Sequence, residues 1–130
     1  MNHVEFTNVT RGQVLGTWIA VADRWWPRLR GLLGRSPLRP GAGLLLRPCC
    51  AVHTFGMSYA VDVAFVDEQG SVVAVYHHLA PGQCSRWHRG AECALELPAG
   101  TLEMTGTREG DLLTWESRER SETPSFSTLD

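Results

Sequence analysis

Pro48-Cys49-Cys50-Ala51-Val52-His53-Thr54-Phe55-Gly56-Met57-Ser58-Tyr59-Ala60-Val61-Asp62-Val63-Ala64-Phe65-Val66-Asp67 is the stretch that decides the fold. Its second half, Tyr59 to Val66, is rich in valine and aromatic residues and reads as an extended segment apolar enough to be core. Asp67-Glu68-Gln69-Gly70 then forms a four-residue turn into a second extended run, Ser71 to Leu79. A β-hairpin therefore occupies the middle of the chain.

Outward from it, Val4 to Val9 and Gln13 to Ala22 read as two more strands, joined by a turn at Arg11-Gly12. Pro27 suits the first turn of a helix, Leu29, Leu32 and Leu33 follow at helical spacing, and Gly34 closes it. Prolines and glycines between Ser36 and Gly43 break regular structure before a short buried strand, Gly43 to Arg47, and Val52 to Phe55 is again extended. After the central hairpin, Ala80 to Gly90 is a long irregular connection, the kind of segment that often carries function. Glu92 to Leu97 alternates like a strand with one wet face, Pro98-Ala99-Gly100 leads into a helical turn, and Arg108-Glu109-Gly110-Asp111 turns the chain into a last strand, Leu112 to Glu116. These elements predict a mainly β domain over residues 1–117: a compact jelly-roll-like barrel or sandwich of antiparallel strands. One short helix is expected near residues 27–33 and a helical turn near 99–105, with a flexible polar tail over 118–130.

The bulk properties narrow the function classes. A chain of 130 residues with 43% hydrophobic residues can bury its own core. Its formal net charge of -2 and the absence of a long basic block argue against nucleic acid as a partner. All 12 basic residues are arginine, a bias that codon usage accounts for. No window reaches the roughly 18 apolar residues of a membrane span, and Met1-Asn2-His3-Val4-Glu5 has no basic start followed by an apolar run, so a cytoplasmic location without membrane insertion is expected. The four cysteines are expected to be reduced, since the adjacent Cys49 and Cys50 could bridge only with strained geometry.

Three chemistries compete for the central block. Cys49 and His53 are four apart, as are Cys84 and His88, and those four side chains are the makings of a tetrahedral zinc site. An extended chain would hold Cys49 and His53 about 13 Å apart, so that set is disfavoured and no metal or other cofactor is expected. Cys49 could instead act as a thiolate nucleophile, with His53 or His77 as base and Asp62 orienting the imidazole. Cys50 and Cys93 read as packing residues.

Asp62 is the only charged residue between Tyr59 and Val66, and an unpaired buried carboxylate costs several kcal/mol, so it must have partners. If Val66 faces Ser71, Asp62 lies opposite Val75 and diagonal to His77, within about 7–8 Å. The competing reading makes the carboxylate a structural clasp on backbone donors of the Gly56-Met57-Ser58 segment. The pair His77-His78 points to opposite faces, so one of the two at most serves a site. Trp25, Trp26, Trp87 and Trp115 are expected to pack in the core or at its rim rather than stack on a ligand.

The residues that carry a family signature are Gly31-Leu32-Leu33-Gly34-Arg35, Gly43-Leu44-Leu45-Leu46, Pro48-Cys49 with His53-Thr54-Phe55 and Met57, Val61 to Asp67, Leu95-Glu96-Leu97-Pro98-Ala99-Gly100, and Gly110-Asp111. In their order and spacing, from about Ala22 to Leu113, the chain resembles the prokaryotic domain of unknown function 192 family. The resemblance implies a compact mainly β fold of jelly-roll type with one short helix, and no established activity. Leu33 and Leu44 stand where that family usually has methionine, a swap that a core tolerates. Pro81-Gly82-Gln83-Cys84-Ser85-Arg86 stands where one subgroup has a Pro-Trp-Arg run. Some relatives carry export signals.

The reading is of a small non-enzymatic binding or accessory domain for a small molecule or protein, with a candidate ligand site at Cys49, His53, Asp62 and His77. A hydrolytic enzyme using the same residues is the first alternative. A domain stabilised by zinc on Cys49, His53, Cys84 and His88 is the second.

Overall fold

The computed structural model describes residues 2–22 and 37–118. Seven strands run in chain order β1 (His3–Asn8), β2 (Gln13–Ala22), β3 (Ala42–Leu46), β4 (Val61–Val66), β5 (Val72–Leu79), β6 (Cys93–Pro98) and β7 (Leu113–Ser117), with a helix α1 (Thr101–Thr105) between the last two. The helical turn expected near 99–105 is therefore present. The helix expected near 27–33 and the tail beyond Arg118 lie outside the described residues.

All seven strands form one sheet, in the order β5-β4-β6-β3-β2-β1-β7. It curls until its outer strands meet at one end: Val72 N–H donates to Asp111 O (2.9 Å), Gly110 N–H to Val72 O (2.9 Å) and Leu113 N–H to Gly70 O (2.8 Å). The result is a half-barrel made from a single sheet. One pairing departs from the expected antiparallel arrangement, since β2 and β3 run parallel, with Trp18 opposite Ala42 and Ala22 opposite Leu46. Parallel neighbours cannot be joined by a tight turn, and residues 23–41 supply the length that a crossover requires.

The central strands are buried on both faces, which explains why β4 is apolar at every position but Asp62. On one face Ala64 and Val66 of β4 pack with Phe6, Ile19, Leu45, Leu95, Leu97 and Leu102, the last supplied by α1. On the other, Val61, Val63 and Phe65 pack with Leu44, Leu46 and Ala94, and with Val52 and Met57 of the loop that covers them. Strand β6 corrects the expectation of a wet face, because Cys93 through Leu97 are all buried, Glu96 among them. Both of its faces lie in packed core, Cys93, Leu95 and Leu97 on one side and Ala94 on the other. Val52 to Phe55 is not a strand of the sheet; it contributes a single bridge, His53 to Cys84.

A buried polar cluster pins the β1–β2 turn to the turn before β7. Asn8 Nδ2 donates to Thr107 Oγ1 and Asp111 Oδ2, both at 2.9 Å, and Arg11 Nε donates to Asp111 Oδ2 at 3.0 Å. Burial by itself pushes the Asp111 carboxyl up, but hydrogen bonds from Arg11, Asn8 and the Arg108 N–H outweigh it and hold the group at about 2, against an ordinary 3.8. A depressed folded-state value stabilises the fold above the ordinary value, and that stabilisation disappears as pH falls from about 4 to about 2. Because the Arg11 partner is partly exposed, we expect the loss to be about 1–2 kcal/mol. Urea denaturation of wild type and Asp111→Asn at pH 7, 4 and 2 checks this, and a stability difference between the two proteins that stays constant across that range would contradict it.

Candidate functional site

The hairpin of β4 and β5 carries Asp62, and its register is not the symmetric one. Val66 faces Val72, Ala64 faces Val75, Val63 faces Tyr76 and Val61 faces Leu79, with irregularities between Val66 and Phe65 and between Val63 and Val61. Asp62 therefore lies level with His77 and His78 rather than opposite Val75. The extra residues kink β5, and His78 takes a left-handed backbone conformation with φ 53°. Both histidines are exposed, so the expected alternation of the pair across the strand is lost.

The Asp62 carboxylate is fully buried. Oδ1 accepts the His78 N–H (2.9 Å), and Oδ2 accepts the N–H groups of Gly100 (3.0 Å) and Leu102 (2.9 Å). The N-cap of α1 is Gly100, which has no side chain to satisfy the first free N–H groups of the helix. Asp62 reaches across from β4 and does what a capping side chain would do. It is thus a clasp on backbone donors, as the competing reading supposed, but the donors belong to β5 and α1 instead of Gly56-Met57-Ser58.

The remaining candidates sit on two loops that run side by side. Thr54 N–H donates to Gln83 O (2.8 Å), Ser85 N–H to Val52 O (2.9 Å), His88 N–H to Cys50 O (2.8 Å) and Cys49 N–H to Glu92 O (2.9 Å). The Thr54 hydroxyl, buried between the loops, donates to Ala80 O (2.6 Å) and accepts the Gln83 N–H (2.9 Å). His53 and Cys84 are directly opposite in this ribbon, in the pairing that sets facing side chains about 4.5–5.5 Å apart at Cβ. Both are exposed. His53 stacks on Phe55 (ring centroids 4.9 Å apart) and its Nδ1 accepts the Phe55 N–H at 3.2 Å, so in the neutral ring the proton is on Nε2.

Cys49 is half-buried, and its thiol donates to Ala51 O (3.1 Å). His88 belongs to a different group: its Nε2 is 2.8 Å from the Tyr76 hydroxyl, which also accepts the Arg86 N–H (2.9 Å), and its ring lies against Phe65 at 4.6 Å. Of the zinc set, then, only His53 and Cys84 are brought together. Among the described residues no three of His, Cys, Asp or Glu are grouped so as to hold a metal ion. Cys93 is fully buried, as a packing residue should be, and burial, followed by the Glu92 charge, pushes its thiol up to about 12.

Between the loops lies an open cleft of ≈ 390 Å³, lined by Pro48, Cys49, Cys50, Ala51, Trp87 and Ala91. Trp87 corrects the expectation of core or rim packing, because it is 74% exposed. Trp115 does pack inward, stacked on Phe6 at 4.6 Å, while Trp25 and Trp26 lie outside the described residues. The signal for Trp87 was present in the chain: an aromatic between Arg86 and Arg89 in a loop bounded by Gly82 and Gly90 has little apolar sequence around it to be buried with.

The sequence matches the model of DUF192, an uncharacterized ACR family, over residues 6–115. The chain belongs to the DUF192 family. A UPF0127 protein of Thermococcus sibiricus is 30% identical over 123 residues, 91% of this chain and 79% of that protein. Among solved structures, a protein of unknown function from Novosphingobium aromaticivorans superposes with a TM-score of 0.72 at 19% identity, over 87% of this chain and 84% of that one. A suspected transcription regulator from Sinorhizobium meliloti 1021 superposes with a TM-score of 0.70 at 22% identity, over 88% and 92%. At such identities the likeness shows that the DUF192 half-barrel is shared, and the fold alone. No helix among the described residues of this DUF192 chain is long and apolar enough to cross a membrane.

Proposed function

We propose that the chain is a small non-enzymatic binding or accessory domain whose ligand site is the cleft between the Pro48–Ala51 loop and Trp87. The observation that carries this reading is the Trp87 ring, exposed yet lining a cleft whose walls are fixed by backbone hydrogen bonds between the two loops. Single exposed apolar side chains are ordinary, but a large ring at the edge of a concave, largely apolar surface is suited to take up a ligand without reorganisation. Cys49 of the original candidate set contributes to that surface. Asp62 serves it indirectly, by fixing the end of β5 from which the second loop departs.

Binding is favoured over hydrolysis because a nucleophilic thiol needs a base within about 3 Å. The His53 nitrogen that could accept a proton already accepts the Phe55 N–H. Ligand-observed NMR with a library of small aromatic fragments tests the reading. Fragments that contact wild type should lose most of their saturation transfer with Trp87→Ala, and equal signals from both proteins would overturn it. In a parallel assay with p-nitrophenyl acetate, Cys49→Ser should match wild type. Turnover by wild type that disappears in Cys49→Ser would put hydrolysis in place of binding.

A further inference from the structure

The residues next to Trp87 in the loop are basic, in a chain that as a whole is not. Arg47 directly precedes Pro48, and Arg86 and Arg89 bracket Trp87. Arg86 and Arg89 are exposed and Arg47 is half-buried, and among the described residues none of the three side chains takes part in an ion pair. The charges of Glu92 and Arg47 both act on the buried Cys93 thiol. Two exposed arginines thus flank, in sequence, the tryptophan that lines the cleft, in a protein whose formal charge is -2. Exposed guanidinium groups flanking an indole that lines a cleft are a specific combination. The guanidinium is planar, permanently charged and matched to the oxygens of a phosphate, and the indole offers a surface on which a flat ring can stack.

The scale of the site fixes the size of the ligand. A cleft of ≈ 390 Å³ holds one small molecule. A polymer of phosphates would need an extended basic track, and the chain as a whole would repel it. Phe55, 54% exposed and stacked on His53, extends the aromatic surface of the same pair of loops, and the Nε2–H of His53 is a further outward donor.

We infer that the cleft takes a small planar aromatic anion of the nucleoside monophosphate type, its ring on Trp87 and its phosphate held by Arg86 and Arg89. This rests on the reading of the cleft as a binding site and adds the class of ligand. The recognition is electrostatic and stacking in character, so affinity falls as salt rises.

The test is calorimetric titration of the full chain with AMP, GMP, CMP and UMP, and separately with adenosine, inorganic phosphate and a ten-nucleotide single strand, alongside the aromatic fragment library. At least one monophosphate should bind about tenfold more tightly than adenosine, and inorganic phosphate should give no measurable heat. Trp87→Ala and the double variant Arg86→Gln/Arg89→Gln should each weaken that monophosphate about tenfold, with melting temperatures unchanged because these side chains are exposed. Equal affinity for AMP and adenosine, or a double variant that binds like wild type, would overturn the anionic ligand and leave the cleft reading standing. Binding of neutral fragments with no monophosphate binding would do the same. Silence from fragments and monophosphates alike would remove both. A single strand that binds more than tenfold tighter than every monophosphate would replace the small ligand with nucleic acid.

Discussion

Asp62→Ala is expected to destabilise the protein by about 3–6 kcal/mol, enough to unfold a domain of ordinary stability under mild conditions. The side chain is fully buried and its two oxygens serve three backbone N–H groups, on His78, Gly100 and Leu102. Alanine leaves all three donors without their acceptor; a fully buried one, as on Leu102, costs about 1–3 kcal/mol, and the partly buried ones on His78 and Gly100 cost toward the low end of that range. Asp62→Asn keeps one acceptor oxygen but turns an NH₂ group toward donors, so it should lose roughly half as much. Urea denaturation measures both. A change under about 1 kcal/mol for Asp62→Ala would mean that water or a local shift satisfies the donors, and the clasp would then be of little consequence.

The second large effect is expected at Gly70. Its φ of +89° lies in the left-handed region, which costs an L side chain about 1–2 kcal/mol. A Cβ there would also come within 2.6 Å of the Leu113 carbonyl oxygen, part of a backbone that cannot step aside. That same backbone is the seam: Leu113 N–H donates to Gly70 O, next to the bonds that join Val72 to Asp111 and Gly110. Gly70→Ala should therefore cost about 3 kcal/mol or more and loosen the contact between the outer strands. Hydrogen exchange should show the Val72 and Leu113 amides losing protection first. Gly82→Ala, with φ +78° but nothing within 4 Å of its added Cβ, is the control that isolates the backbone term and should cost only about 1 kcal/mol.

Much of this fold was legible along the chain. Residues Gln13–Ala22 are the second strand as read, the central hairpin follows from valine-rich runs bounded by Gly and Asp turns, and the turn of helix follows Pro98-Ala99-Gly100. These are local signals, in which the residues that determine the element are the residues that form it. The clasp was legible only in half. That Asp62 needed partners follows from its apolar neighbours, but the partners are backbone groups 16 and 40 residues away at His78 and Leu102, to which no side-chain pattern points. The register of β4 against β5 was misread because each extra residue in β5 moves every later pairing, and a bulge of this kind has no signature in composition.

The site divides in the same way. Trp87 was read as a packing residue because a tryptophan's large apolar area favours burial, yet the loop that carries it has its backbone tied to Cys50 and Val52 and leaves the ring outside the core. Glu96 was read as facing water because it alternates with leucines, but its face of β6, shared with Ala94, is covered by packed core. The sequence by itself determined which segments are extended, that one acid sits in the core, and the family. Tertiary structure alone decided that β2 and β3 run parallel, which donors Asp62 holds, and that Cys49 lines a cleft with Trp87 while Asp62 is buried beneath β5 and α1. Strand formation depends on contacts two residues apart, whereas pairing, burial and the making of a cleft depend on which distant surfaces find each other, and that is an energy of the whole chain.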